Sequence, residues 1–312
     1  MRLIKQFLGT LATGYILMFY SEFLFWARVR PEDSLSEWVS TWLLYSLLAY
    51  VLLSMLARFH VASAWALFLA GACFGWLIEG VIVQTAYDAL PLSLSFTGLA
   101  WHALVSVWVG FYGVSRGLVA GIGSVLAWSV SIGTVYGFWS IAWWVEPDGG
   151  MVHPRAFASF SIMITLLLMI AYWVYGHTIP NSFRSNRTVE VIVSLLLVCY
   201  FIFVTIPIVG FVSMILPILL LGLLSTLRHN KQVESGVTLL KKESRVRKVW
   251  HYLGLLALPL TASLFYIFAF ALGIRWHTNR IVYLVTTPAG FILLIVSCIK
   301  IWRMKPALSV AD

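Results

Sequence analysis

The chain is poor in charge: Asp, Glu, Lys and Arg make up 11% of its 312 residues, and only 12 residues are acidic. A soluble domain is about 25% charged, so polar material is too scarce here to cover a water-facing surface, which excludes a soluble globular protein. Cysteine is scarce as well. Cys73, Cys199 and Cys298 each lie inside an apolar run, which argues against a disulfide framework and makes them small hydrophobes. The sequence has no HExxH, no CxxC pair and no His/Asp cluster at ligand spacing, so no metal and no cofactor is expected. Gly113, Gly117 and Gly121 recur at spacing four around Arg116. A phosphate cradle needs a strand before its glycine loop, so these read as packing glycines at a helical turn. Arg2 and Lys5 precede an apolar stretch that runs to Ala27 without a small-x-small exit. That is too long for the core of a cleaved signal, and it reads as a first span.

What the chain has in excess is apolar surface: 61% hydrophobic residues, 15% aromatic and a mean hydropathy of +0.92. The expected class is an all-α, polytopic integral membrane protein. At ~20 residues per span, apolar runs bounded by charge, Pro or Gly predict ten helices near 7–27, 38–57, 61–83, 96–115, 117–145, 156–175, 189–206, 210–227, 249–273 and 281–302. The seventh and eighth share one apolar run, 189–227, interrupted only by Pro207 and Gly210. One helix of that length at 1.5 Å per residue overshoots a hydrocarbon core of about 30 Å. A hairpin is therefore preferred over a single broken helix.

With the N-terminus inside, 16 of the 21 Lys and Arg fall on the inner side and 5 on the outer, which predicts cytoplasmic N- and C-termini in a cell membrane. The inner segment 228–248 alone holds seven basic residues and two acids. It reads first as a topogenic loop, and its charge also suits anionic lipid headgroups. Nucleic acid is not an expected partner, because no aromatic platform interleaves with these charges. The remaining expected partners are the lipid bilayer and a lipophilic small molecule. No oligomeric state can be derived from the sequence.

Composition shifts near residue 155. The segment 1–155 holds 15 of the 22 Gly and 11 of the 15 Trp, and 156–312 is dominated by Leu, Ile and Val. A Gly- and Trp-rich five-helix half carrying a polar pocket, then an aliphatic five-helix half, is the expected organisation, within one compact membrane domain.

Ionisable residues inside spans cost at least ~2.5–3.5 kcal/mol each and are functional candidates by default. Glu22, Glu79, His102 and His251 are in that position. His251, beside Trp250 and Tyr252, reads as an interfacial anchor. The other three fall on the order of 6–9 Å below the outer surface, where they can meet in one pocket. Gly71, Gly75 and Glu79 recur every four residues, as do Gly98, His102, Ser106 and Gly110, so each polar group sits on a stripe of small residues. The expected catalytic set is Glu79 and His102, an acid/base or ligand-orienting pair, with Glu22 modulating their charge. Trp76, Trp101 and Trp139 are the expected walls for a lipophilic ligand, with Asp88 and His153 in polar outer connections, the second of which also carries Glu146 and Asp148. Three classes remain open: an enzyme or ligand-binding protein acting on a lipophilic or amphiphilic molecule at the outer leaflet, a ten-helix transporter that is proton-coupled or not, and an assembly subunit of a membrane complex. A structural role, with Glu79 and His102 merely tying two spans together, is the competing interpretation of the pair.

Overall fold

The computed structural model describes residues 2–30, 32–147, 149–233, 239 and 248–304. Among these there is helix and connecting turn but no strand. Nine helices among them are long and apolar enough to cross a membrane: α1 (Leu3–Trp26), α2 (Leu35–Arg58), α3 (Ala64–Ile82), α4 (Leu94–Ala120), α5 (Ile122–Trp144), α6 (Pro154–Ile179), α7 (Arg187–Asn230), α8 (Val249–Ala271) and α9 (Thr278–Arg303). Of the basic segment 228–248, residues 234–238 and 240–247 lie outside the described residues, and with them most of the surface expected to meet anionic headgroups. Asp148 lies outside them too.

Short polar residues start the helices. Ser34 caps α2 in a reciprocal box, its hydroxyl accepting from Glu37 N at 3.2 Å while Glu37 Oε2 accepts from Ser34 N at 2.7 Å. Asn186 Oδ1 accepts from Thr188 N at 2.9 Å at the start of α7. Such caps satisfy amide donors that the first turn leaves without a helical partner.

α7 folds back on itself. Its first arm begins beside α2, where Arg58 Nη1 meets Glu190 Oε2 at 3.1 Å, and reaches the far end of α3, where Thr205 Oγ1 donates to Val81 O at 2.8 Å. The second arm starts at that same end with Leu216 against Gly80. It returns until Asn230 Nδ2 donates to Phe59 O at 3.1 Å. The reversal occurs at Gly210, whose φ of +76° is a conformation glycine adopts without a Cβ penalty. The long apolar run is thus two antiparallel arms.

One end of the bundle gathers Gln6 with Arg184, Arg58 with Glu190 and His251 with Leu118 O. The opposite end gathers Trp139 with Phe25 O and Glu146 with Asn279. α1 and α3 are the most enclosed helices, while α7 and α9 are the least. Large apolar side chains on the periphery, among them Phe203, Phe211, Leu264 and Leu284, are exposed. Apolar surface on that scale calls for a non-aqueous neighbour: the protein is a membrane-embedded helical bundle in contact with lipid.

Glycine sets the inner spacing. A Cβ on Gly75 would collide with the Gly98 carbonyl oxygen, and one on Gly98 would press to 2.5 Å from Trp76 Cδ1. α3 and α4 therefore touch backbone to backbone, as small residues allow in membranes. Contacts also cross the compositional boundary at residue 155, with Gly9 of α1 against Thr178 of α6 and Gly133 of α5 against Leu258 of α8.

Candidate functional site

The close approach at Gly75 and Gly98 sets the positions of the side chains one turn later on each helix. Glu79 is one turn beyond Gly75, His102 one turn beyond Gly98, and the two side chains meet: His102 Nε2 lies 2.6 Å from Glu79 Oε1. Trp76 locks the same register by donating its indole N–H to Leu94 O at 2.9 Å. The pair is buried, with 10% of the Glu79 side chain and 4% of the His102 side chain exposed.

The other imidazole nitrogen, Nδ1, lies 2.9 Å from Ser21 Oγ of α1. Ser21 Oγ lies 2.8 Å from Ser106 Oγ, and Ser106 donates in turn to Trp101 O at 3.2 Å. On the far side of the carboxylate, Thr85 donates its hydroxyl to Glu79 Oε2. Both carboxylate oxygens and both ring nitrogens are thus occupied. A charge buried without such partners costs several kcal/mol, and the network offsets that penalty.

Each member stands on π-helical backbone: Ser21 in Phe19–Phe23, Glu79 in Ile78–Ile82, and His102 with Ser106 in Leu94–Val114. π-Helical turns are rare and concentrate at functional sites. Chemically, the row carboxylate, imidazole, hydroxyl can pass a proton along its length. A hydroxyl held by an imidazole that a carboxylate orients is also how a serine oxygen is activated.

Glu22 faces a different neighbour. Its Oε1 accepts from Tyr45 OH at 2.7 Å and its Oε2 from the Trp26 indole N–H at 3.2 Å. It touches neither Glu79 nor His102, although it adjoins Ser21 in sequence. The expected trio is therefore a pair with a third carboxylate held one residue away by α2.

Beside the relay, and separated from it by Trp101, lies an aromatic cleft between α4, α5 and α9. Its upper compartment, about 440 Å³, is walled by Phe25, Phe96, Trp139, Trp143 and Tyr283, with Glu146, Asn279 and Arg280 at the rim. The lower compartment, about 260 Å³, is bounded by Trp101, Trp139, Val105, Val109 and Val282. Trp139 borders both. Trp139 and Trp143 both donate to the carbonyl of Phe25, at 2.5 and 2.9 Å, an acceptor that the end of α1 leaves without a helical donor. Trp101 stands between cleft and relay: its ring packs on Trp139 at 4.9 Å between centroids, and its N–H donates to Tyr20 O and Ser21 O at 3.1 and 3.2 Å.

Of the expected ligand wall, Trp101 and Trp139 line this cleft, whereas Trp76 is buried between α3 and α4. Asp88 is exposed in the turn after α3, where its N–H donates to Thr85 O at 3.2 Å. His153 is exposed and caps α6, its Nδ1 accepting from Arg155 N at 3.3 Å. Among the described residues no three His, Cys, Asp or Glu side chains stand close enough to hold a metal ion. His251 sits at the opposite end of the bundle with Nδ1 2.8 Å from Leu118 O. Sequence reasoning did not single out Tyr45, Thr85, Asn279 or Arg280. Ser106 carried a signal, four residues beyond His102, whereas Asn279 and Arg280 had none beyond their place at a span's end.

Comparison of the chain with protein-family models, with curated proteins and with solved structures finds no match in any of the three.

Proposed function

We propose that this protein is a membrane-embedded enzyme acting on an amphiphilic molecule that enters the aromatic cleft from the outer leaflet. The observation that carries this reading is the buried row of Glu79, His102 and Ser21, with contacts of 2.6 and 2.9 Å. Two helices suffice to tie a bundle together, but this row joins three and includes a hydroxyl whose proton an imidazole can take. A purely structural pair needs neither.

In this reading ten segments cross the membrane, the two arms of α7 counting separately, with both termini cytoplasmic and the Glu146 end outside. His102 is the general base and later the general acid. Glu79 orients the ring and balances the charge it gains. Ser21 presents its oxygen, or the proton on it, to the substrate, and Trp101 is the partition that must move for the cleft and the relay to meet. Burial away from water strengthens every electrostatic contact in the row. Glu22 acts on the row through its charge and through Tyr45, whose hydroxyl contacts both Glu22 and Ser21.

The test uses the purified full-length protein in liposomes made from the polar lipids of its own host membrane, with the lipid pool monitored by mass spectrometry. Wild type is expected to deplete one amphiphile and accumulate a product, while Glu79→Gln and His102→Ala, checked for intact folding, do neither. Equal conversion and equal ligand retention by wild type and both variants overturns the proposal.

A further inference from the structure

The rim of the upper compartment has chemistry that selects one kind of headgroup. Glu146 Oε1 accepts from Asn279 Nδ2 at 2.6 Å, which commits the amide nitrogen and leaves the amide oxygen facing elsewhere. That oxygen, Asn279 Oδ1, is buried and has no hydrogen-bond partner. A buried acceptor without a donor is costly, and here it belongs to a side chain that lines the cavity. The Glu146 carboxylate stands next to it, and the imidazole of His277, with Nδ1 4.0 Å away, is beyond hydrogen-bond reach. Two acceptors thus belong to a rim shared with Trp139, Trp143 and Phe25, and indole faces attract cations, as Arg28 over the Trp143 ring at 5.6 Å illustrates. Arg280, on the same rim, offers a planar fork suited to a phosphate.

We infer that this rim binds a zwitterionic lipid headgroup carrying a primary ammonium and a phosphodiester, of the phosphoethanolamine class, with a hydrocarbon chain lying in the lower compartment. The ammonium has three donors: one meets Asn279 Oδ1, one meets Glu146, and the charge rests against the indole wall. The phosphate pairs with Arg280. A quaternary ammonium has no donor for Asn279 Oδ1, and an anionic headgroup without an amine meets the Glu146 carboxylate. The lower compartment gives the tail a place because Trp139 borders both compartments and Val105, Val109 and Val282 make the lower one apolar. A free phosphoethanolamine would leave that apolar surface uncovered, so the occupant is the intact lipid. This inference rests on the reading of the cleft as the substrate site and names the substrate class.

The test is competitive retention. Detergent-purified protein is equilibrated with phosphatidylethanolamine, phosphatidylcholine and phosphatidylglycerol of identical acyl chains, alongside free phosphoethanolamine, and the bound species are counted by native mass spectrometry. The ethanolamine lipid is expected to exceed each of the other two by about tenfold, the equivalent of one good charged contact, and the free headgroup to stay unbound. Glu146→Gln is expected to bring the ethanolamine and choline lipids within about threefold of each other, Arg280→Ala to weaken all three lipids, and Trp139→Ala to weaken all three without changing their order. Equal retention of the three lipids, a preference for phosphatidylglycerol, or an undiminished ethanolamine preference in folded Glu146→Gln overturns the inference. Conversion of some amphiphile without this preference refutes the headgroup class and leaves the relay reading standing. The preference without any conversion refutes the enzyme reading and leaves the headgroup site standing.

Discussion

His102 Nδ1 and Ser21 Oγ lie 2.9 Å apart although 81 residues separate them in the chain. The contact joins α1 to α4, and since the opposite nitrogen of the same ring reaches Glu79 of α3, one imidazole holds three helices at one point. In the proposed function stability and chemistry converge on that ring, and substitutions can separate them.

Breaking the pair from one side is expected to be worse than removing it altogether. Glu79→Leu or His102→Leu alone leaves a buried partner uncompensated and should cost about 3–5 kcal/mol, whereas the double variant replaces both with apolar bulk and should recover most of that loss. Thermal melting in detergent checks it. A double variant no more stable than the worse single one would contradict the account.

The glycine contact has its own signature. Gly75→Ala drives a methyl into the Gly98 carbonyl and should destabilise by about 1–3 kcal/mol, with the Glu79 to His102 register disturbed as well. Gly222 on α7 has open space around its would-be Cβ, and Gly222→Ala should be neutral or stabilise by up to about 1 kcal/mol. Melting temperatures of the two variants moving together would refute this.

The all-helical membrane class was legible in 11% charge and long apolar runs, because a bilayer leaves the backbone few alternatives. The fold-back of α7 was legible from Pro207 and Gly210 for the same reason. The meeting of Glu79 and His102 was visible as two small-residue stripes with one polar side chain on each, since helical period fixes faces. Ser21 was obscured for a physical reason: it lies on a π-helical turn, where counting by 3.6 no longer tells which of Ser21 and Glu22 faces α4. The cleft rim depends on Glu146 meeting Asn279 across 133 residues, and no local pattern encodes such a contact. Asp88 and His153 are polar residues in connections between helices, and sequence position alone could not tell that the chain leaves them exposed.

Orientation yields a direct outcome. With the three native cysteines replaced, Asp88→Cys and Arg116→Cys place single thiols at two exposed positions on opposite ends of the bundle. A membrane-impermeant maleimide should label the first in intact cells and the second only after permeabilisation, as the bias in basic residues requires. The reverse pattern would invert the topology.

Ser21→Ala removes a hydroxyl but little volume. The expected loss of stability is about 0.5–1.5 kcal/mol, that of a typical buried hydrogen bond. Loss of the oxygen next to the imidazole should nonetheless lower turnover by roughly 10²-fold or more. Tyr45→Phe removes a donor from Glu22 and a contact from Ser21 and should lower turnover less than Ser21→Ala does, since the phenol lies beside the row and not within it. A larger effect at Tyr45 than at Ser21 would place the working hydroxyl on α2 instead.

The central claim is that the row of Glu79, His102 and Ser21 works on a substrate and does not merely brace the bundle. Its most direct measurement is amphiphile turnover by the Glu79→Leu/His102→Leu double variant, which is expected to keep its fold, in liposomes of host polar lipids and monitored by mass spectrometry beside wild type. The account predicts depletion of a lipid species by wild type and none by the folded double variant. Equal turnover by the two proteins would contradict it.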